Sequence, residues 1–171
     1  MKDEVILGRL LSREGGWADN PVDRGGPTKF GITLRTYKRW LRKEGLNATD
    51  IAAKRLLRSL SREEAKKIYR VYYVEKYRLD NINDGRLREH ILDCVVLHGG
   101  IGVKWLQKAV GVKPDGIFGP KTEAAVNSTM AETTSRFIFK QRMMFIVKLV
   151  VRRPAQLQFL KGWTARAMLF I

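Results

Sequence analysis

Glu14, Asp23 and Thr28 lie in one segment, Leu11 to Thr33, that also holds five glycines and two prolines. Such a segment cannot be one regular element, and polar groups on a tightly turned loop beside a helix end are how folds commonly display reactive side chains. A carboxylic acid that keeps its proton near neutral pH can protonate a departing glycosidic oxygen. A second carboxylate can activate water or steady positive charge on a sugar. Glu14 suits the first role. It sits at the C-terminal end of an apolar-periodic stretch, where the helix dipole disfavours negative charge, and Trp17 is near enough to exclude water, while Arg13 pulls the other way. A solvated glutamate at a helix end fits the same position. Asp23 follows nine positions later. If it folds back, a separation of roughly 5–5.5 Å would imply retention and roughly 6.5–9.5 Å inversion. An Asx turn is its competing role, and Thr28 either holds an attacking water or caps a turn.

The elements that must position these groups read as helices. Ile6, Leu7, Leu10 and Leu11 mark one face of a helix from Asp3 to Arg13, and Gly15-Gly16 releases the chain from it. Thr33 is placed to cap a helix over Leu34–Glu44, with Tyr37 and Trp40 packing inward and Gly45 closing it. Ser61-Arg62-Glu63-Glu64 is a capping-box pattern opening a helix with Ala65, Ile68, Tyr69, Tyr72 and Tyr73 on one side. Tyr72 and Tyr73 make that face broader than a core needs, so one of them is a candidate to line a cleft. Asn83-Asp84-Gly85 marks a boundary, followed by a buried helix over 86–97 containing Cys94. His98-Gly99-Gly100 breaks it, and a short helix runs over 103–110. Pro114-Asp115-Gly116 is a turn that Asp115 shapes, and Gly119-Pro120 starts the next helix. From Lys121 the chain is almost wholly helical, mixing Phe137, Met144, Phe145 and Val147 with Lys and Arg. Such helices either pack with a solvated basic face or lie on membranes. The apolar tail Met168–Ile171 is expected to pack.

Taken together these motifs resemble glycoside hydrolase family 108, the N-acetylmuramidase-type lysozymes found among phage endolysins. The resemblance is carried by Glu14-Gly15-Gly16-Trp17, then Asp23, Gly25-Gly26 and Thr28, then Gly31-Ile32-Thr33. It continues through Leu106-Gln107-Lys108-Ala109-Val110-Gly111, Asp115-Gly116-Ile117-Phe118-Gly119-Pro120-Lys121-Thr122 and the closing Gly162-Trp163 with Arg166. Trp17 replaces the family's more usual Tyr, and Leu97 stands where the family often has Asn. The resemblance implies a mainly α, lysozyme-like, two-lobed helical fold with at most a small β hairpin near the catalytic loop. Residues 1–84 would form the catalytic lobe, and residues 85–171 a peptidoglycan-binding-like lobe packed on it as one structural unit. It further implies that Glu14 is the general acid cleaving the β-1,4 bond after N-acetylmuramic acid, with no cofactor. Asp23 and Thr28 echo a Glu, Asp, Thr arrangement in another phage lysozyme group. Trp17, Tyr72, Tyr73 and Gln107 become the candidate substrate contacts.

The composition sets further bounds. Of 171 residues, 33 are Lys or Arg against 17 Asp or Glu, a formal net charge of +16. That sign favours polyanionic partners. No helix-turn-helix, zinc-finger or RNP signature points to nucleic acid, whereas peptidoglycan stems, teichoic acids and lipopolysaccharide phosphates are anionic too. The expected partners are therefore bacterial peptidoglycan and, through the basic C-terminal helices, the anionic envelope (lipopolysaccharide), with a monomer as the default state. A single cysteine excludes an internal disulfide, and two histidines and one cysteine make no metal-ligand spacing. Met1-Lys2-Asp3-Glu4-Val5 lacks the basic start and apolar core of a signal peptide. The expectation is thus synthesis in a host cytoplasm and release to the wall by a separate membrane-permeabilising partner. Competing with a lysozyme are a lytic transglycosylase, a non-catalytic wall-binding protein on the same fold, and a cationic membrane disruptor.

Overall fold

The computed structural model describes residues 3–19 and 26–171. It divides into two compact units, residues 2–72 and residues 73–171, upstream of the Asn83-Asp84-Gly85 turn.

The first unit opens with α1 (Asp3–Arg13), which buries Ile6, Leu7, Leu10 and Leu11 as its periodicity requires and carries Asp3 and Glu4 in its first turn. Arg70 bonds both acids, at 3.0 and 3.1 Å, and so ties the start of α1 to the helix that follows α4 (Arg62–Tyr69). Three strands of two residues each form an antiparallel sheet in the order β1 (Trp17–Ala18), β2 (Thr28–Lys29), β3 (Ile32–Thr33). Thr33 then caps α2 (Leu34–Lys43), accepting from the Thr36 N–H. Tyr37 and Trp40 are buried in the core as expected. A helix the sequence reading did not foresee, α3 (Asp50–Ser59), starts at Thr49, whose hydroxyl accepts from the Ala52 N–H. Ser61 caps α4 through the Glu64 N–H, and α4 runs directly into a π-helical stretch, Arg70–Glu75.

In the second unit, α5 (Gly85–His98) is capped by Asp84, whose carboxylate accepts from the Leu87 N–H at 2.7 Å. The following helices are α6 (Gly100–Ala109), α7 (Pro120–Ser128), α8 (Ala131–Arg152) and α9 (Leu160–Met168). Gly102 lets α6 cross α5 closely. A Cβ there would fall 2.9 Å from the carbonyl carbon and the Cβ of Cys94, nearer than carbon atoms approach. Cys94 is fully buried, and that burial pushes its thiol up to about 12. The centre of the unit is ionic. Asp93, buried completely, accepts from Arg142 at 2.9 Å and from Arg166 at 2.8 Å, joining α5 to α8 and α9. The expected packing of the tail is corrected: Met168, Leu169 and Ile171 are exposed. Phe170 stacks on the His90 imidazole at 4.6 Å, while its carbonyl accepts from Ser135. One flat ring and one carbonyl find partners there, and the neighbouring side chains face outward.

Two histidines on α5 are held neutral. Burial, helped by Arg142, lowers His90 to about 3, and burial with Arg142 and Arg166 lowers His98, set between Trp105 and Phe145, to about 4. His98 is thus a packed aromatic neighbour, and its titration lies well below the neutral range of a general base. In the unfolded chain both imidazoles protonate near 6.5, so the stability they allow is intact above that pH and is lost as pH falls toward 4. Each histidine costs up to about 1.4 kcal/mol per pH unit over this window. Ring resonances that show no protonation down to pH 5, with a melting temperature that drops between pH 7 and 5, are the expected result. Titration of both rings near 6.5 in the folded protein would contradict it.

Candidate active site

Glu14 follows the last residue of α1, with its N–H still bonded to the Leu10 carbonyl at 3.1 Å. Gly15 and Gly16 then turn the chain into β1. The carboxylate lies against a feature far along the chain, the tip of the β2–β3 hairpin. Lys29 pairs with Ile32, so Phe30 and Gly31 form a two-residue turn, and both have positive φ, 50° and 73°. Two positive φ values in succession are what a type I′ hairpin turn demands, and Asn-Gly is its usual sequence. A phenylalanine there is strained. Two hydrogen bonds hold it: its N–H donates to Gly15 O at 3.1 Å, and its carbonyl accepts from the Tyr69 hydroxyl at 2.8 Å. The turn is therefore pinned to the loop that bears Glu14 on one side and to the end of α4 on the other.

Gly31 is required twice over. Its φ favours glycine, and a Cβ at this position would lie 2.5 Å from Glu14 Oε2 and 2.7 Å from the Tyr69 Oη. The acid and the phenol converge on the bare face of this glycine. Gly31→Ala is expected to displace the carboxylate, lowering activity by at least roughly tenfold, and to cost about 1–2 kcal/mol for the left-handed backbone. Rates and melting curves on the same preparation check this, and an unchanged rate would show that the cradle is not needed.

The sequence reading did not single out Tyr69 as a site residue. It is 1% exposed, which on helical periodicity looks like core, and only the placement of its hydroxyl distinguishes it. Tyr69 is the last residue before the π-helical stretch, and such widened turns recur where helices carry function.

The other candidates take the following places. Thr28 is half-buried in β2, in register with Thr33 on one side and Ala18 on the other. Asp23 lies outside the described residues. Trp17 is half-buried in β1 opposite Lys29, with the Arg58 guanidinium 5.8 Å from its ring. Tyr72 makes an edge contact with Trp40 at 6.3 Å and is covered by the Arg39 guanidinium at 4.2 Å. Its hydroxyl is buried with no hydrogen-bond partner among the described residues. Tyr73 is half-buried. Gln107, in the other unit, is 1% exposed. Its amide nitrogen donates to Asp115 Oδ1, the Ile117 carbonyl and Thr122 Oγ1, and its oxygen accepts from the Gly116 N–H. That amide is committed to shaping the Asp115-Gly116 turn. The Ile117 N–H and the Gln107 amide also hold the Asp115 carboxyl below its ordinary value.

What this arrangement can do is narrow. It presents one carboxyl group, set against a strained turn, with a phenol beside it and indole, phenyl and guanidinium groups nearby. That equipment suits proton donation to a bulky, polar substrate.

Residues 7–99 match the family described as Glycosyl hydrolase 108, and residues 101–168 match the Predicted Peptidoglycan domain. Among solved structures the chain is similar to Brucella abortus SagA, with 30% identity and a TM-score of 0.74 over 98% of this chain and 94% of that one. None of the curated proteins matches it.

Proposed function

The chain belongs to the glycosyl hydrolase 108 family and is a glycoside hydrolase of peptidoglycan, and from that premise we propose that it is an N-acetylmuramidase with Glu14 as its general acid. In this reading the glycan strand is cut at the β-1,4 bond between N-acetylmuramic acid and N-acetylglucosamine. Glu14 protonates the departing oxygen as the bond to the muramic acid carbon breaks. Water, activated by Asp23 and oriented by Thr28, completes the hydrolysis. The observation that carries the proposal is the convergence of Glu14 Oε2 and the Tyr69 hydroxyl on Gly31. A glutamate that is only a solvated helix terminus has no use for a glycine cleared of its side chain or for a strained residue beside it. Trp17 supplies an aromatic platform for a sugar ring.

A lytic transglycosylase needs the same single acid, because the sugar's own hydroxyl can attack. Mass spectrometry of fragments from purified peptidoglycan separates the two. Reducing N-acetylmuramic acid ends are expected, and 1,6-anhydro ends would replace the hydrolase with a transglycosylase. Binding to sacculi without any fragment would leave the wall-binding reading instead.

A further inference from the structure

From Thr133 to Ile171 the sequence contains eight Lys or Arg residues and no Asp or Glu. Two of the eight, Arg142 and Arg166, serve Asp93, and the other six are exposed. Exposed apolar side chains accumulate in the same region. Helix α8 buries Thr134, Ile138, Arg142 and Ile146, one every fourth residue. At 100° per residue the opposite face carries Phe137, Met144, Val147 and Val151. These are 37, 46, 53 and 73% exposed, so a helix already packed on one side carries apolar side chains on the other, interspersed with the exposed Arg136 and Lys140. Phe139, Met143, Met144 and Val147 line an open groove of about 420 Å³ together with Lys140 and Lys148.

The charge selects the occupant. A second copy would bring another +16 and the same two lysines against this face. Peptidoglycan sugars offer hydroxyls and amides that a groove of methyl, thioether and phenyl groups does not match. A lipid surface offers both halves, acyl chains for the groove and phosphates for lysines that can extend their ammonium groups outward. Among the described residues no helix is long and apolar enough to cross a membrane, and a basic helix with exposed apolar side chains suits the plane of a bilayer surface. We propose that the exposed face of α8 docks on an anionic phospholipid bilayer, with Met144 and Val147 in the acyl boundary and Lys140 and Lys148 at the phosphates. This is a second binding function, separate from hydrolysis.

The test is co-sedimentation of the full chain with vesicles of phosphatidylethanolamine and phosphatidylglycerol, against vesicles of phosphatidylcholine alone. Binding at least roughly tenfold stronger to the anionic vesicles is expected. The double variant Met144→Glu/Val147→Glu is expected to lose about tenfold of that binding. Both positions are exposed, so its melting temperature and its release of fragments from lipid-free peptidoglycan stay at the wild-type level. A Lys140→Gln/Lys148→Gln variant is expected to weaken binding to the anionic vesicles alone. Undiminished binding by the glutamate variant would reduce the effect to bulk charge and overturn the proposal. Equal binding to both kinds of vesicle would overturn it as well. So would a lipid-free dimer that this variant abolishes, which would make the face an interface between copies.

Discussion

Glu14→Gln is expected to lower the release of reducing ends from purified peptidoglycan by roughly a hundred- to ten-thousand-fold, the range over which a positioned general acid contributes. The amide matches the carboxyl group in shape, so it can occupy the same place against Gly31. What it lacks is a proton to give at ordinary pH. The expected signature is therefore a protein with a wild-type circular dichroism spectrum, a melting temperature within a few degrees and intact binding to sacculi, which fails only in bond cleavage. A folded Glu14→Gln protein with full activity would remove Glu14 from the chemistry and leave the hairpin turn as mere architecture. The contrast with Gly31→Ala is informative. That variant keeps the acid but moves it, so its loss should be smaller and accompanied by lower stability.

The largest effect on stability is expected at Asp93. Arg142 is 1% exposed and donates to Asp93 at 2.9 Å, while its Nε is buried with no hydrogen-bond partner among the described residues. Asp93→Ala leaves a guanidinium in the interior with no counter-charge. Removing one member of a buried pair costs about 3–5 kcal/mol. In a chain of this length that is a fall in melting temperature of roughly 6–20 °C. The converse follows from the same physics. Asp93→Leu combined with Arg142→Met removes both buried charges, and Arg166, being more exposed, can turn toward solvent. The double variant is expected to be more stable than Asp93→Ala alone, by chemical denaturation at neutral pH. Equal losses in the two proteins would mean that the charge pairing contributes little and that side-chain volume dominates at this position.

Much of the framework is local and was therefore legible. Thr33, Ser61 and Asp84 are cap or turn residues, and each signals its helix start because a side-chain oxygen satisfies an N–H only three residues away. The faces of α1 and of the tyrosine-bearing helix are periodic, and the helical class follows from them, whereas the small hairpin was implied only by the resemblance to the glycoside hydrolase family. Asp115 announces its turn in the same way, by bonding the Ile117 N–H two residues on. The helix α3 escaped because its four charged residues and only two buried ones, Ala53 and Leu57, leave a weak apolar stripe.

The sequence by itself determined the helical class, the caps, the basic charge and Glu14 as the acid to consider, because these depend on near neighbours in the chain. Tertiary structure alone decided that Phe30 and Gly31 take left-handed backbone and that Tyr69 leaves the anonymous core to hold that turn beside Glu14. It also decided that Gln107 faces inward to a turn, and that Arg142 points into the interior rather than joining the exposed lysines of the same helix. The first and last of these are settled by partners far away in sequence, Tyr69 for Phe30 and Asp93 for Arg142, and Gln107 by the turn that follows its own helix. The cost of burying or straining a polar group is visible in the sequence. The group that offsets the cost is known only when the chain has folded.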